Sequence, residues 1–219
     1  MRGYDDPCGI ARALSAVGER WALLVVRELI FGPKRYIDLR RGLPAISENV
    51  LSQRLRELEQ TGIVTRRRLG PPSSVRVYEL TARGHELEPV LIALARWGTR
   101  SPIDAAITSD LSVDALLFAW RTTFDPQTAG ALKATYQLRV GDDRFHAEVA
   151  DGRFQVARGE TTNADVTLTA TAPTLRSLVF GGRSLADAEQ AGEATVEGNR
   201  QAAEHLLRCF PHTVPSGRT

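Results

Sequence analysis

The chain is short of cysteine, of lysine and of long apolar runs. Among 219 residues only Cys8 and Cys209 are cysteines, too few for a disulfide framework and without a Cys or His nearby at metal-ligand spacing. No metal and no other cofactor is therefore expected, and both thiols read as reduced. No window of about 18 apolar residues occurs, and the opening "MRGYDDPCGI" lacks the apolar stretch and small-residue cleavage site of a signal peptide. A cytoplasmic protein without a membrane span is expected. Lys34 and Lys133 are the only lysines among 28 basic residues, a bias typical of GC-rich coding sequences. Catalytic constellations are missing too. His146 and His205 fall on different elements, Asp142 and Asp143 sit in a turn, and no serine lies in a nucleophile-elbow pattern. An enzyme is not expected.

With 42% hydrophobic and 25% charged residues the composition is that of an ordinary globular protein, and the length suits two domains of about 100 residues. The charge is uneven. Residues 1–100 hold 17 Lys/Arg against 11 Asp/Glu, and the remainder 11 against 15. A basic half joined to an acidic half suggests that only the first meets a polyanion.

Helical periodicity appears at Ile10, Leu14 and Val17, then at Trp21, Leu24, Val25 and Leu29, with Gly32-Pro33 as a stop. "YIDLRRGL" predicts a third short helix that Pro44 ends. Ser47 is placed to cap a fourth, whose buried face is Val50/Leu51, Leu55 and Leu58 and whose outer row is Asn49, Ser52, Gln53 and Arg56. "IVTRRRL" and "VRVYEL" flank the tip "GPPSS" as a β-hairpin, and a long helix follows from about Ala82 to Trp97. Short helix, turn, amphipathic helix, basic hairpin is the order of a winged helix-turn-helix, whose second helix enters the major groove. Amide and hydroxyl groups on Asn49, Ser52 and Gln53 suit base edges. Arg54 and Arg56, the hairpin residues Arg66, Arg67, Arg68 and Arg76, and Lys34 and Arg35 suit phosphates. Taken singly, each feature is also what a solvated helix face or a charged edge strand looks like.

"ALSAVGERWALLVVRELIFGPKRYIDLRRGLPAISENVLSQRLRELEQTGIVTRRR" and "YELTARGHELEPVLIALARWG" resemble the HxlR group of bacterial winged-helix transcription regulators. The resemblance implies a homodimer built from the first helix and the long helix after the wing. It also implies a palindromic operator in double-stranded DNA, a recognition helix from Ser47 to Gln60 and a wing from Val64 to Leu80. Cys8 falls where many members of that group carry an oxidant-sensing cysteine; the other reading is a small buried residue heading the dimer helix.

"GTRSPIDAAITSD" reads as a linker. Beyond it, Ser112 caps a helix with Leu116, Leu117, Trp120 and Phe124, and alternating runs around Leu138, Phe145, Phe154 and Leu168 predict strands. Pro173 starts a helix, Gly181-Gly182 ends it, "ATV" is an edge strand, and Asn199 opens a closing helix. The expected fold is α+β, an antiparallel sheet covered by helices. "ADVTLTATAPTLRSLVFGGRSLADAEQAGEATVEGNRQAAEHLLRCF" resembles the later half of sterol carrier protein 2-like domains, which implies an apolar tunnel binding a lipid or other hydrophobic small molecule. Phe118, Trp120, Phe145, Phe154, Leu178, Phe180 and Phe210 are the candidate lining; each is equally readable as core. The expected division is a winged helix at 1–98, a linker at 99–110, a ligand-binding domain at 111–211 and a tail at 212–219. The resulting expectation is a DNA-binding regulator tuned by an apolar ligand. Its rival is a lipid or acyl carrier, or accessory protein, whose winged helix contacts protein and whose second domain is structural.

Overall fold

Small polar residues standing before apolar periodic runs set most of the helix starts, and the elements follow from them. The computed structural model describes residues 4–70, 74–100 and 110–210. The chain divides into two units, Met1–Ile92 and Ala93–Thr219, a division that falls inside a helix. Most of the expected linker, residues 101–109, lies outside the described residues, as do Pro71–Ser73 of the hairpin tip and the tail from 211 on.

The first unit runs α1 (Gly9–Val17), α2 (Ala22–Leu29), α3 (Tyr36–Gly42), α4 (Glu48–Gln60), β1 (Val64–Arg68), β2 (Arg76–Leu80), α5 (Ala82–His85) and the start of α6 (Glu88–Gly98). Ser47 caps α4, its Oγ accepting from the Val50 N–H at 3.4 Å, while Glu48 in the first turn complements the helix dipole. Leu51, Leu55 and Leu58 of α4 are buried with Val25, Val26 and Leu29 of α2, Leu39 of α3, and Ile63, Val64 and Val77. Val50, assigned to the buried face, is exposed; it sits one residue, about 100° of helix, off the Leu51–Leu55–Leu58 stripe. The single helix expected from Ala82 to Trp97 is two. Pro89 has no N–H to offer the His85 carbonyl and its ring crowds that carbonyl, so the chain stops and restarts as α6. β1 and β2 pair antiparallel from Val64↔Leu80 to Arg68↔Arg76. A third short segment joins them: Lys34 and Tyr78 exchange backbone hydrogen bonds of 2.9 and 2.8 Å.

The second unit holds the remainder of α6, then α7 (Val113–Thr123), α8 (Pro126–Ala129), β3 (Ala134–Val140), β4 (Asp143–Ala150), β5 (Arg153–Arg158), β6 (Val166–Ala170), α9 (Ala172–Phe180), α10 (Leu185–Gln190), β7 (Ala194–Gly198) and α11 (Arg200–Arg208). Asp151 and Gly152 both take positive φ, 51° and 69°, the requirement of a two-residue type I′ turn between twisted strands. The sheet order is β5-β4-β3-β6-β7. It is mixed and not antiparallel as expected, because β6 lies parallel to β3. After the β3–β4–β5 meander the chain returns past β4 to the far side of β3, and Gln137 anchors that return. Its buried side chain donates to the Phe145 carbonyl at 3.0 Å and accepts from the Thr161 N–H at 2.8 Å. Alternation on β3 and β4 puts Tyr136, Leu138, Phe145, Ala147 and Val149 in the core, against Leu116, Leu117 and Trp120 of α7 and Ala203 and Leu206 of α11.

Candidate nucleic-acid interface

Residues three, four and seven apart share a helix face. On α4 that rule aligns Asn49, Gln53, Arg56 and Gln60, and all four are exposed. Gln53 stands at the centre of a small network. Its Nε2 donates to Glu57 Oε1 at 2.7 Å, and its Oε1 accepts from Arg56 Nη2 at 2.8 Å. An amide held at both ends presents a defined edge. Gln60 was missed from the sequence, although it follows Gln53 by seven residues. Ser52 is half-buried at the flank, where Tyr36 of α3 reaches its Oγ at 3.3 Å and donates to the Glu48 carbonyl at 3.0 Å. Tyr36 thereby clamps α3 to the start of α4. Ser47 is exposed, with one lone pair of its hydroxyl used by the cap.

The hairpin arginines divide by register. In an antiparallel pair, residues directly opposite share a face, which puts Arg66, Arg68 and Arg76 on one side and Arg67 on the other. Arg66 is bidentate to Glu59 of α4 at 2.9 and 2.7 Å and lies 5.3 Å over the Tyr78 ring. The Glu59 carboxylate raises the Arg66 pKa, and burial pushes the Tyr78 phenol up. Arg67 pairs with Glu79 at 2.9 Å. Arg68 and Arg76 face each other across the ladder, and no carboxylate of the described residues pairs with either. Arg35 is exposed but tied to Asp38 at 2.7 and 2.8 Å, an interaction that raises the guanidinium pKa and lowers that of the carboxyl.

Two side chains assigned to phosphate turn inward. Lys34 is 12% exposed, with Nζ 2.7 Å from the fully buried Glu28. Arg54 is 13% exposed and lies against Glu57 at 2.6 Å and Glu19 at 3.3 Å. Helix geometry explains Arg54: it follows Leu51 by three residues and precedes Leu58 by four, so it borders the buried stripe and not the outer row. Cys8 departs from the buried reading. It is exposed and caps α1, its Sγ accepting from the Ala11 N–H at 3.3 Å.

In the second unit most of the candidate lining residues are core. Phe118, Trp120, Phe145, Leu178 and Phe210 are buried, and Phe154 and Phe180 are half-buried. Rings fill the space between helices and sheet: Trp120 stacks on Phe210 at 4.8 Å, and Phe154 meets Phe124 at 5.6 Å and Phe210 at 5.3 Å. A concavity of about 330 Å³ beside Glu148, Asp151, Arg153 and Gln155 involves none of them. Among the described residues no group of His, Cys, Asp or Glu could hold a metal, and no helix is long and apolar enough to cross a membrane.

Residues 16–103 match the family model of the HxlR-like helix-turn-helix. The HTH-type transcriptional regulator YvaP of Bacillus subtilis is 38% identical over 89 residues, 40% of this chain and 82% of YvaP. The regulator sll1512 of Synechocystis is 42% identical over 93 residues, 42% of this chain and 68% of that protein. The chain belongs to the HxlR-like helix-turn-helix regulators. Residues 101–215 match the alkyl sulfatase C-terminal family model, and no sterol carrier protein 2-like family is shown for them. The crystal structure of quinone-bound YodB from B. subtilis shares 34% identity over 42% of this chain and 97% of that one, with a TM-score of 0.37. As an HxlR-like protein the chain is a transcription regulator of the DNA-binding helix-turn-helix class, and its relatives carry the names of regulators, not of enzymes or lipid carriers.

Proposed function

We propose that the chain acts as a homodimer that reads a palindromic operator, with α4 in the major groove and the β1–β2 hairpin along the phosphate backbone. The observation that carries this reading is the alignment of two surfaces. Asn49, Gln53, Arg56 and Gln60 form one exposed row on α4, and Arg66, Arg68 and Arg76 share the hairpin face whose Arg66 grips α4 through Glu59. Amides suit adenine edges and guanidiniums suit guanine edges or phosphates. Dimerisation is supported by apolar side chains left in water: Ile10 and Leu14 on α1, and Val90, Leu94 and Trp97 along one side of α6. Apolar rows of this kind on a helix mark a face made to be covered. Two-fold symmetry then sets half-sites about one helical turn, roughly 34 Å, apart. Selection from random duplexes, followed by sedimentation of the complex, tests the reading. A palindrome bound by two chains supports it, and absence of any enriched sequence sinks it.

The second unit has a ligand-sensing reading, favoured by one observation. The Trp120 indole N–H is buried and has no acceptor among the described residues, an omission that costs about 1–3 kcal/mol. A sterol carrier-like role would place a ligand's oxygen there and its apolar body among Phe124, Phe154 and Phe210, which must part to admit it. Such a ligand alters operator affinity only if it prefers one arrangement of the regulator over another. Binding of a fluorescent fatty acid, read with Trp21→Phe and Trp97→Phe in place so that Trp120 alone reports, decides it: unchanged Trp120 emission removes the sensor.

A further inference from the structure

Buried carboxylates are expensive unless paired, and an apolar replacement for a buried ion pair is often the more stable choice. Glu28, the penultimate residue of α2, is nevertheless fully buried. Arg27 Nη2 reaches its Oε1 at 2.8 Å and Lys34 Nζ its Oε2 at 2.7 Å. Space for the acid is made by the last residue of α3, because a Cβ on Gly42 would stand 2.3 Å from Glu28 Oε2. Stability alone gives little reason for this arrangement, so the question is what the acid holds in place.

Lys34 supplies the answer. Its backbone is the third segment of the wing, donating to the Tyr78 carbonyl at 2.9 Å and accepting from the Tyr78 N–H at 2.8 Å. The Tyr78 ring lies under Arg66, and Arg66 grips Glu59 on α4. The hairpin is therefore fixed from two sides, by Glu59 through Arg66 and by Glu28 through Lys34. We propose that Glu28 is a positioning residue for DNA recognition: its buried carboxylate anchors Lys34, and the Lys34 backbone sets the wing against α4 so that Arg66, Arg68 and Arg76 meet phosphate together. Lys34 thus serves the wing through its main chain, while its ammonium faces the protein interior. The inference rests on the reading of the first unit as a DNA reader.

The test compares Glu28→Gln and Gly42→Ala with wild type by amide hydrogen exchange and by duplex binding over a salt series. Exchange at Lys34 and Tyr78 is expected to rise at least tenfold in both variants, with Leu55 and Leu58 of α4 unchanged. The slope of log affinity against log salt is expected to shrink by about 0.9 for each phosphate contact the wing gives up. Discrimination between the operator and a duplex altered only in the bases facing α4 stays within about twofold of wild type, since those contacts sit on α4. Gly42→Ala is the sharper variant, because alanine in a helix ordinarily stabilises. Should Glu28→Gln not fold, Glu28→Gln/Lys34→Met removes the facing ammonium as well and carries the same readouts. Unchanged exchange at Lys34 and Tyr78 overturns the proposal, and so does exchange that rises equally in α4 and the wing, which marks general loosening. If wild type leaves DNA unbound, the functional reading falls, and the exchange data still decide whether Glu28 holds the wing.

Discussion

Replacing Arg68 or Arg76 by alanine should strengthen the free protein and weaken its grip on DNA. Leu69 N–H donates to the Val75 carbonyl at 2.9 Å, and antiparallel pairs alternate, so Arg68 and Arg76 form the closer, non-hydrogen-bonded kind of pair, with Cα atoms about 4.5 Å apart. Like charges set directly opposite destabilise a ladder by roughly 0.2–1 kcal/mol. Arg66 and Arg67 face Tyr78 and Val77 instead, and each has a carboxylate partner, Glu59 and Glu79. Arg68→Ala is thus expected to raise the melting temperature by up to about 4 °C. On DNA, one phosphate contact is worth about 0.9 in the salt slope. A dimer loses one contact from each of two wings, so the slope should shrink by about 1.8. Between 50 and 200 mM salt the variant's affinity would then fall roughly tenfold less than that of wild type. Fluorescence anisotropy with a labelled duplex and differential scanning fluorimetry measure the two effects on one preparation. A lower melting temperature with an unaltered salt slope would refute the reasoning, since it would make the pair a structural element indifferent to DNA. Loss of only 0.9 in slope would show that a single wing engages.

Gln53→Ala should reduce operator affinity by about tenfold or more per half-site, the worth of a bidentate base contact, while leaving binding to random duplex unchanged; an equal loss on both would place Gln53 on the backbone. Thiol labelling at pH 8 should modify Cys8 alone in the native protein, since Cys209 is buried with its thiol pushed up to about 11, and label both after denaturation. The Asp38 carboxyl is held below the ordinary carboxylate range by its hydrogen bond from Arg35. Its contribution is therefore full above the unfolded value near 4 and is lost as pH falls through the lowered folded value. Asp38→Asn should melt below wild type at pH 6, with the gap closing towards pH 3.

Periodicity located nearly every helix and strand because the apolar stripes are strong and the caps at Ser47, Ser112, Thr171, Ser184 and Asn199 are explicit. Sheet order was not legible. Nothing local to "TTNAD" says that the chain passes to the far side of β3; the buried Gln137 that guides it looks like any polar residue in an alternating strand. The exposed row on α4 is legible from spacing, Gln60 included, since it stands seven residues after Gln53. Arg54 and Lys34 misled because a basic residue announces its charge and not its direction. Their partners, Glu57, Glu19 and Glu28, lie three to 35 positions away in sequence, beyond what a charge count resolves. The aromatic residues of the second unit were found, but whether rings enclose a tunnel or fill it depends on packing that sequence does not encode residue by residue.

Selection of the wild-type protein against random duplexes, followed by affinity measurement on the enriched site and on scrambled sequence at fixed salt, tests the central claim most directly. A palindrome with half-sites about 10 base pairs apart is expected, bound at least a thousandfold more tightly than the scrambled duplex. Equal affinity for both sequences would contradict it.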